Sequence, residues 1–118
     1  GRYLQNLAAA EAILADAQQQ GIHVIVYLAP LRGDVAPPYV EAEYERFQRE
    51  VDELAGRYGA EYLDLASIVP GDLFGLTESN RIGVAADVDF MHFQAAGHAL
   101  LAERLAAALD RAEGAGAP

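Results

Sequence analysis

Asp89 and His92 stand three residues apart in the stretch ADVDFMHFQAAGHALLAERL, and their types and spacing suit an acid–base pair. A carboxylate beside an imidazole decides which ring nitrogen carries the proton. It also stabilises the imidazolium that forms when the other nitrogen accepts one. A tight turn ahead of a helix would bring both side chains to one edge of the fold. A structural reading competes: an Asp ahead of a helix often caps it, and a His there is a solvent-facing first-turn residue. Asp87 is the rival acid, because one residue of slippage exchanges the two, but Asp89 alone has the D-x-x-H spacing.

Other reactive types are scattered. Ser67 follows an apolar strand-like run, yet Leu65–Ala66–Ser67–Ile68 lacks the glycines that let a nucleophile sit on a sharp, strained turn. It reads as a cap or turn serine, and Ser79, in Thr77–Glu78–Ser79–Asn80, as a loop hydrogen-bonder. His98 falls six after His92, off the same helical face, which makes it a surface or packing residue. Asp87, Asp89, His92 and His98 could be taken together as a metal cluster. Their spacing offers no second clear ligand pair, and no metal is expected. His23 is a structural strand-edge residue. Arg32 and Asp34 either line a pocket in which Arg32 meets an anionic group, or form a surface ion pair with each other; the second reading is preferred.

These residues need elements to position them. Residues 2–20 predict a helix: Tyr3, Leu4, Leu7, Ala10, Ile13, Leu14 and Ala17 recur at three- and four-residue steps, and Gly21 follows as a left-handed stop. Residues 22–29 (IHVIVYLA) predict a strand buried on both faces, ended by Pro30 and a Gly- and Pro-rich loop. A second helix spans 40–58, with Tyr44, Phe47, Val51, Leu54 and Tyr58 as its apolar stripe and Gly59 as its stop. Residues 61–66 (EYLDLA) predict a short strand. Residues 67–91 show no sustained period and read as a long functional loop. The last helix is expected from Phe93 to Ala112, where Gly97 allows close approach to the sheet; residues 114–118 are expected to be a flexible tail.

The order α–β–α–β–loop–α implies an α/β chain with a parallel strand pair joined by a right-handed crossover. In open sheets of this kind reactive groups collect at the carboxyl ends of the strands, where the PLRGD loop, Ser67 and the Asp89–His92 stretch would meet. Two strands alone leave an apolar edge open, which invites further strands from upstream sequence or from another subunit.

Asp89–Phe90–Met91–His92, then Phe93 and Ala96–Gly97–His98 opening a terminal amphipathic helix, resembles the final block of the SGNH (GDSL-like) hydrolases. The preceding order also looks like the C-terminal half of that family: helix, strand ending Leu28–Ala29–Pro30, helix, and the short strand Tyr62–Leu63–Asp64–Leu65. The resemblance covers about residues 3–109, with D-x-x-H as its one specific motif. It implies a flavodoxin-like three-layer sandwich with a parallel sheet, of which residues 1–113 would be the C-terminal part. In a Ser-His-Asp triad of that type, Asp89 would orient His92 and His92 would be the general base. The Gly-Asp-Ser-like and Gly-x-Asn-Asp-like blocks are absent from these 118 residues, so the nucleophilic serine and the oxyanion hole are expected upstream of Gly1. The segment PLRGDVAPPY is reminiscent of the branch that transfers acyl groups to cell-envelope polymers.

Composition sets the outer bounds. Among 118 residues, 53% are hydrophobic and 22% charged, which suits a globular chain and excludes wholesale disorder. Eighteen acidic residues against eight arginines give −10, with no basic stripe for a nucleic-acid backbone. Zero cysteines exclude a disulfide framework, a thiolate nucleophile and a Cys-based zinc site. No apolar run reaches the roughly 18 residues of a membrane span and no signal-peptide pattern opens the chain, so compartment stays unassigned. The expected activity is ester hydrolysis or acyl transfer, without cofactor. The expected partners are an ester or acylated small-molecule or carbohydrate substrate and the upstream half of the same domain. Two rivals stand beside it: a non-catalytic α/β interaction module that pairs through its exposed strand edge, as in a homodimer, and a small metal-dependent hydrolase.

Overall fold

The computed structural model of the chain describes residues 1–77 and 87–116. In chain order the elements are α1 (Arg2–Gln19), β1 (Ile25–Leu28), α2 (Glu41–Arg57), β2 (Glu61–Asp64), a one-turn 3-10 helix (Gly71–Leu73), β3 (Phe74–Thr77), β4 (Asp87–Phe93) and α3 (Ala95–Gly116). The chain is therefore α/β. Strands β1 and β2 form a two-stranded parallel sheet, and β3 and β4 a separate antiparallel pair. Among the described residues no helix is long and apolar enough to cross a membrane.

The chain divides into two compact units, one of Gly1–Tyr27 with Glu41–Leu63, the other of Leu28–Val40 with Asp64 onward. In the first unit α1 and α2 are tied at two levels. Tyr3, near the start of α1, stands edge-on to Phe47 in the middle of α2 at 6.5 Å between ring centroids, and its hydroxyl donates to Glu50. Two turns further along α1, Glu11 accepts from Tyr58 at 2.7 Å and from Arg57 at 3.1 Å. Both helices therefore run in the same direction, as they must when each feeds a strand of one parallel sheet. Leu14, Ala17, Leu54 and Ala55 are the buried apolar residues of this unit.

Each of the two helices stops in the same way. Ile22 donates back to the carbonyl of Ala17 and Gly21 to that of Gln18; Ala60 repeats this with Ala55, and Gly59 with Gly56. Gly21 and Gly59 sit at φ +70° and +69°, the left-handed region that this double closure requires. Acidic Glu41 and Glu43 in the first turn of α2 and Arg57 in its last turn also match the helix dipole.

Strand β1 is shorter and more exposed than its apolar run predicts. It covers four residues, Tyr27 within it is 40% exposed, and Ile22 ahead of it is exposed. In the described residues β1 has β2 as its one neighbour, so its continuous apolar sequence exceeds what this sheet covers.

The second unit differs most from expectation. The stretch 67–91, read as a loop, contains the 3-10 turn, all of β3 and the start of β4, and Phe93 ends a strand where a helix start was expected. Phe74 and Phe93 face each other with ring centroids 5.7 Å apart, and Phe74 is buried along with Leu28, Leu65, Val69 and Ala108. Helix α3 begins two residues later than expected, with the carbonyl of Gln94 accepting from Gly97 and His98. A Cβ on Gly97 would lie 2.8 Å from the Phe93 ring and 2.9 Å from Val69, so the absent side chain is what allows the helix to come this close.

Candidate active site

The β3–β4 ladder pairs Thr77 with Asp87, Leu76 with Val88, and then Phe74 with Phe93. Two steps along β3 are thus matched by five along β4. Residues Asp89, Phe90, Met91 and His92 form an arc that the partner strand does not match, a wide form of β-bulge. Expected on a turn before a helix, the D-x-x-H motif instead occupies this arc.

Asp89 closes the arc on itself. Its Oδ1 accepts the backbone N–H of His92 at 2.9 Å and that of Met91 at 3.0 Å. The His92 ring turns back over the same carboxylate, with Nδ1 at 3.1 Å from Oδ2 and 3.2 Å from Oδ1. The Asp89 side chain is 16% exposed and that of His92 86%, so the acid is sheltered while the ring stands in solvent. The His92 N–H, then the Met91 N–H and the imidazole, hold the Asp89 carboxyl below the usual carboxylate range, against its partial desolvation. In the tautomer that donates Nδ1–H to Asp89, Nε2 is the nitrogen left to accept a proton.

Arg32 and Asp34 do form the expected ion pair, with Nε 2.7 Å from Oδ1 and Nη2 3.4 Å from Oδ2. It is more than a surface pair, because the Arg32 side chain is only 13% exposed. Its Nη1 donates to the carbonyl of Gly75 at 3.1 Å and to that of Asp89 at 3.4 Å, while its backbone N–H donates to Phe90 at 3.1 Å. Arg32 holds the Asp34 carboxyl below its ordinary range, first through the side-chain hydrogen bond. Phe90 itself stands edge-on to Tyr39 at 5.8 Å. Leu31, one residue before Arg32, donates to the carbonyl of Ala66, so the loops that follow β1 and β2 are joined.

The remaining candidates lie elsewhere. Asp87 opens β4 opposite Thr77, and its carboxylate accepts the N–H of Val88 at 2.7 Å. His98 lies on the exposed surface of the first turn of α3, its ring 4.3 Å from that of Phe93. Ser67 is exposed in the turn after β2, a turn closed by Asp64 accepting from Ala66 at 3.1 Å. Ser79 lies outside the described residues. His23 is half exposed ahead of β1, with Nε2 3.7 Å from Glu61. Among the described residues no three His, Asp or Glu side chains converge as they would around a metal ion.

A groove of about 270 Å³ in the first unit has a floor of Leu4, Leu7, Ala8 and Leu54. Of the carboxylates at its rim, Glu11 and Glu50 are already held by Tyr58, Arg57 and Tyr3. It is a seam between two helices. Strand β3, and with it Gly75, whose carbonyl Arg32 holds, lies in the stretch expected to be a loop. The run Phe74–Gly75–Leu76–Thr77 is β-prone, and its aromatic start matching Phe93 is the signal that could have found it. Comparison of the chain with protein-family models, with curated proteins and with solved structures gives no match.

Proposed function

We propose that Asp89 and His92 are the acid and base of a serine-dependent ester hydrolase or acyl transferase of the SGNH type, and that the chain forms part of a flavodoxin-like domain. One observation carries this reading: the sheltered Asp89 carboxylate holds Nδ1 of a His92 ring that is otherwise in solvent. A base for nucleophilic catalysis needs one nitrogen fixed and the other presented. Nε2 of His92 takes the proton of a serine hydroxyl as its oxygen attacks the acyl carbon, and Asp89 stabilises the imidazolium. The same proton passes to the departing alkoxide. Water or an acceptor hydroxyl then repeats the exchange in reverse to release the acyl group.

The serine comes from a segment outside these 118 residues. Ser67 sits on an exposed turn without the flanking glycines of a nucleophile elbow. Labelling with a fluorophosphonate probe, read by intact mass, tests this reading on the 118-residue chain and on a long form that carries the proposed upstream segment. A label on the long form only, lost in His92→Ala, supports the shared triad. A label on the short chain assigns the nucleophile to Ser67 or Ser79 and overturns it. A folded long form that takes no label favours a non-catalytic module. The observation behind that second reading is β1, whose one neighbour among the described residues is β2 and whose Tyr27 is exposed.

A further inference from the structure

We infer that Arg32 is a positioning residue for the Asp89–His92 pair, and that Asp34 and Gly71 are the parts that hold Arg32 in place. Its importance for catalysis rests on the reading above; its effect on the geometry does not. Arg32 acts on the arc in β4. Where a strand departs from its ladder, sheltered carbonyls need donors. Arg32 supplies them for Gly75, Asp89 and Phe90, one on β3 and two on the arc. A planar guanidinium with donors in a fixed fork suits this task better than a flexible ammonium.

The fork must itself be held. The Asp34 carboxylate occupies its Nε and Nη2 edge, leaving Nη1 to the two carbonyls. A Cβ on residue 71 would fall on the Asp34 carboxylate where it now stands, so a side chain there would displace it from Arg32. The dependence therefore runs Gly71, Asp34, Arg32, arc, Asp89, His92. At its far end the imidazole is 86% exposed, and Asp89 is the group that orients it. Anything that lets the arc relax releases Asp89 from the Met91 and His92 N–H groups and frees the ring.

The test reads the imidazole and needs no substrate. Long-range ¹H–¹⁵N spectra of the labelled 118-residue chain, at a pH where its three histidine rings are neutral, report which nitrogen of each carries hydrogen. In the unmodified chain His92 carries it on Nδ1, facing Asp89. Arg32→Ala moves His92 to the Nε2–H form that a free imidazole prefers, while His23 and His98 keep their signals as internal controls. If Arg32→Ala does not fold, Asp34→Ala carries the same test and shifts His92 in the same direction. A folded Arg32→Ala or Asp34→Ala chain with an unchanged Nδ1–H ring overturns the inference. Loss of the Nδ1–H form in the variant together with an unlabelled long form would sink the esterase reading and leave the positioning role standing. The converse, a labelled enzyme with an insensitive ring, would do the reverse.

Discussion

Asp89 holds His92 at two points, accepting its backbone N–H at 2.9 Å and lying 3.1 Å from its ring Nδ1. The group that orients the imidazole thus also shapes the backbone that carries it. Substituting Asp89 should disturb both, whereas substituting His92 removes only the ring.

On the proposed function, that asymmetry separates two variants, each tested with the serine-bearing segment that the proposal calls for. His92→Ala removes the proposed base, and Asp89→Asn leaves a ring with the other tautomer favoured. Each should lower kcat/KM for an aryl ester by about 10³–10⁴-fold. Asp89→Asn should in addition change the backbone amide shift of Met91, which His92→Ala should leave near its original value. Near-normal turnover in His92→Ala would remove the triad assignment.

Acid should act on the same residue. The His92 N–H, the Met91 N–H and the imidazole keep the Asp89 carboxyl below the ordinary range, and Arg32 does the same for Asp34. A carboxyl depressed on folding contributes stability that is present above its unfolded value of about 3.9 and is lost as pH falls through the folded value. Urea midpoints should therefore fall as pH drops below about 4. Asp89→Asn should flatten the Asp89 part of that fall, and a curve of unchanged steepness would show that these contacts do not form in solution.

Alkali should act on the other unit. The Tyr58 hydroxyl donates to Glu11 and the Tyr3 hydroxyl to Glu50, and these bonds to carboxylates raise both phenols above their ordinary value. A raised pKa contributes stability that is complete below the unfolded value, about 10, and is lost as pH rises through the folded value. Thermal midpoints of the chain should fall above pH 10, and those of a Tyr3→Phe, Tyr58→Phe double variant should fall less. Phenolate absorbance near 295 nm gives the titration directly.

Two glycine substitutions should differ in kind. Gly97→Ala pushes a methyl into Phe93 and Val69, an overpacking cost of about 1–3 kcal/mol. Gly59→Ala meets no closer atom than Gln18 at 3.7 Å but must hold φ at +69°, which costs about 1–2 kcal/mol. Urea denaturation should show both losses, and only Gly97→Ala should also shift the ring resonances of Phe93 and His98. If Gly59→Ala is neutral, α2 does not end in the left-handed closure.

The helices were legible because their signals are local. The apolar stripe of α2 and the stops at Gly21 and Gly59 need no information from elsewhere in the chain. Asp89 and His92 were legible for the same reason, since the motif closes on itself within four residues. Strand β4 was not: its arc breaks the alternation that marks a strand, so Asp87–Phe93 looked aperiodic. The role of Arg32 was hidden for another reason. Its acceptors are carbonyls 43 and 57 residues away, which no spacing in the PLRGD loop can announce. What that loop did announce was the Arg32–Asp34 pair two residues apart, a true contact and the smaller part of the arrangement.

The unequal strand lengths in the hairpin have a consequence for how this chain can vary in length. Phe74–Phe93 and Leu76–Val88 are fixed posts, and the slack between them lies wholly on the β4 side. An insertion or deletion elsewhere in a strand inverts every side chain beyond it. A one-residue gain or loss between Val88 and Phe93 leaves the posts where they are and is taken up by the arc. The hairpin would survive such an indel, and the distance from carboxylate to imidazole would register it.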